Sequence, residues 1–237
     1  MARKAFVLIF VMLVAGLATI QAGVVIDRIV VTVNGRPLME SDWEDALRFE
    51  AFLQGRKLET FTIQEQRAAL ERLIDQELLR QQMQGIQSIT PEQVKERIVQ
   101  VRSQVPGTTT EDGWRNALAA YGMTPADFEQ RIQAQMEMLQ FIDLRLRPAV
   151  HIETENIQAY YREKLVPELT KTGAQIAPLP AVSGNIEELL TQQRMDELLS
   201  AWLSNLRNQS QVHMAHATPD TQLVPGGGTA NGTASAK

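Results

Sequence analysis

The chain has 237 residues, of which 44% are hydrophobic, 22% are charged and 5% are aromatic. This composition is typical of a globular protein and excludes a collagen-like repeat or an acidic disordered chain. The formal net charge is -5, from 23 Lys and Arg against 28 Asp and Glu. We therefore expect no nucleic-acid partner, because proteins that bind phosphate backbones normally carry a basic patch. The chain has no cysteine, so its stability must come from packing without disulfides.

The first 22 residues have the three parts of a secretory signal peptide. Arg3 and Lys4 are followed by an uncharged apolar run over residues 5–18, and a cleavage site follows Ala22. The run is shorter than the roughly 20 residues that a membrane-spanning helix needs. We predict a cleavable signal peptide over residues 1–22, and no stable membrane span after cleavage. The alternative is a membrane anchor that stays attached.

A β-hairpin is predicted directly after the signal. Residues 26–33 are rich in β-branched side chains, which favour strands. Asn34 and Gly35 follow, and this pair is preferred in two-residue turns because both residues tolerate positive φ. We expect a hairpin over residues 28–39.

Helix starts recur along the chain as capping residues followed three positions later by Glu or Gln, or directly by Pro. The signals are Ser41 with Glu44, Thr62 with Glu65, Thr90 with Gln93, and Thr124 before Pro125. The first helix is expected to end near Gly55. Apolar residues at helical spacing follow two of the starts: Ile63, Leu70, Ile74 and Leu78, then Val94, Ile98, Val101 and Val105.

The segment over residues 125–146 has the most regular helical pattern. Its apolar residues are three or four positions apart throughout: Phe128, Ile132, Met136, Leu139, Ile142 and Leu146. We expect Pro148 to end this helix and Thr154 to begin another. Residues 173–184, which are rich in Pro and Gly, predict a loop before a last helix over 185–208. A short strand over 211–216 and an unstructured tail over 217–237 complete the prediction.

Motifs for catalysis are missing from the sequence. It contains no His-Glu-x-x-His pair, no Gly-x-Ser-x-Gly elbow and no phosphate-binding Gly-Lys-Ser/Thr loop. His213 and His216 are three residues apart, but too few metal-binding side chains lie nearby to complete a site. Acidic clusters such as Glu153 and Glu155 fall in predicted first turns, where the helix dipole favours negative charge. We predict no catalytic residue, no metal site and no cofactor.

Residues 26–42 resemble the opening of the SurA family of periplasmic chaperones, in which a Val-Asn-Gly hairpin leads into a helix that begins with Ser-Asp. Val33-Asn34-Gly35 and Ser41-Asp42 match that pattern. The likeness continues through residues 73–79 and 89–92, and residues 201–207 are similar to the family's C-terminal helix.

The chain departs from full-length relatives, which insert one or two parvulin-type prolyl isomerase domains before the C-terminal helix. Only residues 162–185 separate Tyr161 from Ile186 here, fewer than the roughly 50 residues of a small domain. We therefore do not carry the family's isomerase activity over to this chain.

Gln, Glu, Leu, Arg and Ala are frequent over residues 41–211, which favours helix, so we expect a mostly α protein. The resemblance implies a helical-bundle chaperone core with a short N-terminal β-hairpin, completed by a C-terminal helix and strand. It implies an N-terminal chaperone domain over residues 23–150, and a linker with a C-terminal helix and strand over 151–216 that packs on the core. The implied function is that of a periplasmic holdase, whose partners are unfolded exported polypeptides, chiefly outer-membrane proteins. Two alternatives remain open: an envelope adaptor with one fixed partner, and a prolyl isomerase.

Methionine suits surfaces that accept many sequences, because its side chain is flexible and polarisable. Core packing accounts for most methionines of this chain, including Met136 and Met195 on the apolar stripes. For a chaperone, we select Met123, Met136, Met138, Phe141 and Tyr161 as candidate peptide-contact residues.

Overall fold

The computed structural model describes residues 27–83 and 89–215. The predicted signal peptide, the predicted tail and His216 lie outside these residues. The described chain is mostly helical, with an N-terminal hairpin and a strand after the last helix, so the predicted fold class is confirmed. The strands are β1 (Ile29–Val33), β2 (Arg36–Met39) and β3 (Val212–Met214).

In the described residues, helices follow the hairpin, and β3 comes after the last of them. They are α1 (Glu40–Gln54), α2 (Ile63–Gln82), α3 (Pro91–Gln104), α4 (Glu111–Ala119), α5 (Pro125–Leu146), α6 (Thr154–Tyr160), α7 (Val166–Thr172) and α8 (Leu179–Gln209). A π-helical turn, Tyr161–Leu165, joins α6 to α7, and a 3-10 turn, Arg147–Ala149, follows α5.

Three of the predicted helix caps are confirmed. Thr62, Thr90 and Thr124 each accept a hydrogen bond from the backbone N–H three residues later, and each is the N-cap of its helix. α5 has the predicted bounds, because its cap, its first-turn proline and its apolar period all agree. The structure adds α4, which no sequence pattern singled out and which begins after Thr110.

Two predicted helix starts are wrong. Ser41 lies inside α1, whose N-cap is Met39, because β2 pairs with β1 up to Met39 and leaves no residues between strand and helix. The Asp42 carboxylate accepts the hydrogen bond of the Met39 N–H at 2.8 Å, in place of Glu44. The last helix begins at Leu179 rather than near residue 185, because Pro180 occupies the first turn, where a proline costs no hydrogen bond.

The sheet places β1 between β2 and β3, and both neighbours are antiparallel to it. Asn34 and Gly35 have φ values of 51° and 82°, as the predicted hairpin turn requires. β3 reaches β1 only after the whole helical chain has been traversed, so the two ends of the described chain meet in one sheet.

Two apolar clusters form the core. The first lies between the sheet, α1, α2 and the end of α8, and includes Val31, Val33, Leu47, Ile74, Leu78 and Leu206. The second lies between the end of α1, α3, α4 and the first half of α5, and includes Phe52, Val94, Trp114, Leu118, Phe128 and Ile132. The rings of Trp114 and Phe128 meet edge to face at 5.0 Å, an arrangement that adds stability beyond area burial.

Polar contacts hold α8 and β3 on the N-terminal core. The Arg207 guanidinium forms ion pairs with Asp75 and Glu71 of α2, each at 2.6 Å. The Asn34 side chain hydrogen-bonds to Ser210 and to the backbone of Gln211. The C-terminal helix and strand therefore complete the domain, as predicted.

Candidate functional site

The structure places two of the candidate contact residues on the second cluster. Met123 is a core member with 6% of its surface exposed, which leaves little of its side chain for a partner. Met136 is half-buried and packs against the same cluster from α5.

Met138 and Phe141 lie where α5 meets α8. Met138 packs against the first cluster together with Trp202 of α8. The Phe141 ring lies 5.6 Å from the Trp202 ring, and the Arg145 guanidinium lies 6.0 Å from the same indole. Phe141 and Met138 are thus brought together at the α5–α8 contact, where packing between helices uses much of their surface.

Tyr161 lies apart from these contacts, in the π-helical turn after α6. Its hydroxyl donates a hydrogen bond to the Ala177 carbonyl at 2.8 Å, and its side chain is half-buried. This bond joins the turn to the segment that leads into α8. The five candidates therefore fall into three regions of the fold and stay a prediction.

α5 carries exposed apolar side chains that the candidate set left out. Ile132, Met136 and Leu139 are four and three residues apart and so share one face of the helix. Along this face the side chains become progressively exposed: Ile132 is buried, Met136 is half-buried, and Leu139 is 59% exposed. Leu144, further along α5, is 62% exposed.

The exposure arises because α5 is longer than the bundle around its first half. With 22 residues, it extends over about 33 Å. The second cluster covers only its first three turns, and α8 covers the side that carries Phe141. We call the side that remains, with Met136, Leu139, Gln140, Asp143 and Leu144, the open face of α5. Its apolar members are Met136, Leu139 and Leu144, and its polar members are Gln140 and Asp143.

The C-terminal end of α5 is held by ion pairs and by a buried side chain. The Arg147 guanidinium, just past α5, is 2.7 Å from the Asp143 carboxylate and 3.6 Å from Glu188 of α8. Leu146 is buried. The open face is therefore bounded by packed structure at both ends, with its exposed leucines on a fixed helix.

Gln140 adds a polar group to the open face. Its side-chain oxygen is buried, and no hydrogen-bond donor reaches it in the part of the chain that the structure describes. Gln140 is four residues from both Met136 and Leu144, so this acceptor lies between two apolar side chains. Because this oxygen is buried, it is not presented to a partner, and the accessible apolar surface of the open face comes from Leu139 and Leu144.

Comparison with known families assigns the domain that carries this face. The family model for the SurA-like N-terminal domain matches residues 2–142. The chain belongs to this family. The SurA-like N-terminal domain is the non-catalytic chaperone part of the family, and SurA-family domains are periplasmic. A search of curated proteins found no match.

In this SurA-like chain the matched region ends within α5, near Phe141. The open face therefore lies at the end of the matched domain, next to the helix that returns from the C-terminal part. Within residues 27–83 and 89–215, no three or more His, Cys, Asp or Glu side chains are grouped so that they could hold a metal ion. No helix in the same ranges is long and apolar enough to cross a membrane.

Proposed function

We propose that the chain is a periplasmic holdase chaperone that binds unfolded segments of exported proteins, chiefly outer-membrane proteins, and catalyses no reaction. The observation that carries the proposal is the open face of α5. Met136, Leu139 and Gln140 of this face lie in the SurA-like N-terminal domain, and Leu144 lies just after the matched residues. The signal peptide predicted over residues 1–22 would deliver the chain to the periplasm.

The physics of the open face suits weak binding to many sequences. Leu139 and Leu144 offer apolar area without a deep pocket, so affinity depends on area rather than on the shape of one side chain. The flexible thioether of Met136 adapts to neighbours of different shape. Such binding needs no energy source, because release follows from weak affinity. Of the five predicted contact residues, Met136 is the one we place in the client site.

Suppression of aggregation is the direct test. A urea-unfolded outer-membrane β-barrel protein is diluted into buffer with residues 23–237 of this chain at increasing ratios, and light scattering is followed. We expect near-stoichiometric chain to suppress scattering. Unchanged scattering together with co-purification of one folded partner would instead support the adaptor function.

A pair of variants connects the activity to the open face. In Leu139→Ser/Leu144→Ser, each lost leucine contact costs about 1 kcal/mol of binding free energy, or about fivefold in affinity. The control is Val99→Ser on α3, which removes an apolar side chain that is 64% exposed, close to the 59% of Leu139. The double variant should suppress scattering less well, and the control should match the parent chain. Equal activity of all three proteins would exclude the open face as the client site.

The isomerase alternative has a separate test. A proline-containing peptide in a standard cis-trans assay should isomerise at its uncatalysed rate in the presence of residues 23–237. A rate that rises in proportion to the chain concentration would show that the chain is an enzyme.

A further inference from the structure

The three-stranded sheet has two outer edges, one on β2 and one on β3, because β1 lies between them. In antiparallel pairs, the backbone groups of successive residues point alternately toward one neighbour and the other. The direction of each N–H group at the two edges therefore follows from the register.

The β2 edge is closed to further strands. The two-residue turn makes Val33 and Arg36 a hydrogen-bonded pair, so Pro37, opposite Thr32, directs its backbone nitrogen away from β1. A proline has no N–H, and natural sheets use proline to block exposed edges. A strand that approached β2 would find no donor at this position.

The β3 edge is open in the described structure. The Asn34 N–H donates to the Gln211 carbonyl at 2.9 Å, and the Ala215 N–H donates to the Val30 carbonyl at 3.0 Å. By alternation, His213 also points toward β1. The N–H and C=O groups of the two residues between them, Val212 and Met214, therefore point outward, where no described strand pairs with them.

The side chains at this edge continue the apolar surface of the sheet. Val212 lies opposite Val33, and Met214 lies opposite Val31. Directly opposed residues project from the same face of a sheet, and Val31 and Val33 are fully buried in the first cluster. Val212 and Met214 are nevertheless 36% and 55% exposed. The core-side surface of β3 therefore extends past the helices that cover β1.

The charge of the edge restricts what it fits. Residues 210–215 are Ser, Gln, Val, His, Met and Ala, and include no Lys, Arg, Asp or Glu. Natural sheets often protect an edge with lysine or another charged side chain, and β3 has none. A charged strand would find no ion-pair partner at this edge, whereas an uncharged strand loses nothing by pairing there.

We propose that the β3 edge binds an extended, uncharged segment of an unfolded client as a fourth, antiparallel strand, with apolar residues at alternate positions. The inference rests on the proposed holdase function and adds a second contact to the open face of α5. Backbone hydrogen bonds to Val212 and Met214 hold the segment, and its apolar side chains cover the exposed side chains of the same two residues. This alternation is also the pattern of strands in membrane β-barrels.

Peptides with methylated amides test the backbone bonds without changing the chain. The parent probe is a fluorescent peptide of about ten residues, with Val or Leu alternating with Thr or Gln. In one variant peptide the backbone amides of Val and Leu are N-methylated. In the matched control peptide the same number of backbone amides is N-methylated at Thr and Gln. Apolar residues opposite Val212 and Met214 direct their amides toward β3. The first variant should therefore bind residues 23–237 at least about tenfold more weakly than the parent, and the control should bind nearly as well.

Two variants of the chain provide the reciprocal test. Met214→Pro removes an outward N–H but no β1–β3 bond, and should weaken parent-peptide binding by about tenfold. Met214→Thr keeps that N–H and should weaken parent-peptide binding less than Met214→Pro does. Equal binding of both methylated peptides, or unchanged peptide binding by Met214→Pro, would overturn the proposed strand pairing. The holdase function would still stand if the chain suppressed scattering in the aggregation assay. If the chain suppresses no scattering, the holdase function fails as well.

Hydrogen exchange of the free chain shows whether the β3 edge is free before a client binds, or is covered by the chain itself or by a second copy. The amides of Val212 and Met214 should exchange fast at all chain concentrations and become protected when the parent peptide is added. Slow exchange in the free chain at low concentration would mean that the chain covers its own edge. Protection that grew with chain concentration would mean that a second copy does. Either result would overturn the proposal.

Discussion

Asn34 has two roles in the hairpin turn. Its φ of 51° lies in the left-handed region, which asparagine tolerates better than most residues. Its side-chain nitrogen donates to Gln81 at 2.8 Å and to Ser210 at 3.1 Å, and its side-chain oxygen accepts from the Gln211 N–H at 2.8 Å. The turn residue thus also binds the start of β3 and the end of α2.

We expect Asn34→Gly to lower the free energy of unfolding by about 1–2 kcal/mol, because glycine keeps the turn but loses these three hydrogen bonds. Asn34→Asp serves as the graded control, since it keeps the acceptor for the Gln211 N–H and loses both donations. Urea unfolding of residues 23–237 should rank the parent above Asn34→Asp, and Asn34→Asp above Asn34→Gly. Equal stability of the parent and Asn34→Gly would show that the turn alone matters.

Glu65 is the carboxylate with the strongest local partners at the start of α2. The Arg56 guanidinium donates to it at 2.7 Å, and the backbone N–H and hydroxyl of Thr62 donate at 2.7 and 2.9 Å. These bonds, the one from Arg56 first, lower the pKa of Glu65 from 4.5 to about 2. The charged form is therefore the form that the folded protein prefers.

Because of this pKa shift, the free energy of unfolding depends on pH in the acidic range. A carboxyl whose pKa is lower in the folded state stabilises the fold fully above its unfolded value of 4.5, and this contribution is lost as the pH falls toward about 2. Urea midpoints of the parent should fall between pH 5 and pH 3, and those of Glu65→Gln should fall less. An equal fall in both proteins would assign the acid sensitivity to other carboxylates.

At the scale of elements, Arg207 adds a polar contact between α8 and α2 to the apolar packing of Leu206. The guanidinium bonds Asp75 and Glu71 and also donates to the Glu71 carbonyl at 3.1 Å. A guanidinium fixed by several acceptors contributes more than a single exposed ion pair, because its geometry is already ordered. The same residue borders an open groove of about 470 Å³ between α2 and α8.

We expect Arg207→Met to lower the free energy of unfolding by about 1–2 kcal/mol. The control is Arg194→Met on the same helix, which removes an exposed pair with Glu197 three residues away and should cost less than about 0.5 kcal/mol. Thermal unfolding of both variants beside the parent measures the difference. Equal losses would contradict a special role for the α2–α8 contact.

The sequence predicted elements best where several local signals coincide. α5 has an N-cap threonine, a first-turn proline and a regular apolar stripe, and its bounds were predicted correctly. The start of α8 was not predicted correctly, because Pro180 and Gly184 suggest a loop. Proline is tolerated in a first turn, and one interior glycine costs only about 0.5–1 kcal/mol, which a helix of 31 residues can bear. α4 spans only Glu111–Ala119, too short for a distinct period.

On the scale of the whole molecule, two helices are shared by both clusters. α1 contributes Leu47 to the first cluster and Phe52 to the second, and α5 packs Met138 on the first and Phe128 in the second. The Tyr121 ring touches both clusters. The two halves of the core are therefore joined through continuous helices, which keeps the open face of α5 fixed relative to the sheet.

The sequence alone determined the hairpin, most of the helices and the resemblance to a family, because turns, caps and periodicity act over a few residues. Only the tertiary structure decided which apolar side chains stay uncovered. Ile132 and Leu139 share one stripe of α5, yet Ile132 is buried and Leu139 is exposed, because α3 and α4 pack along only part of that helix. The open edge of β3 likewise depends on its pairing with β1, far away in sequence. Burial is set by what distant segments cover, and no local pattern contains that information.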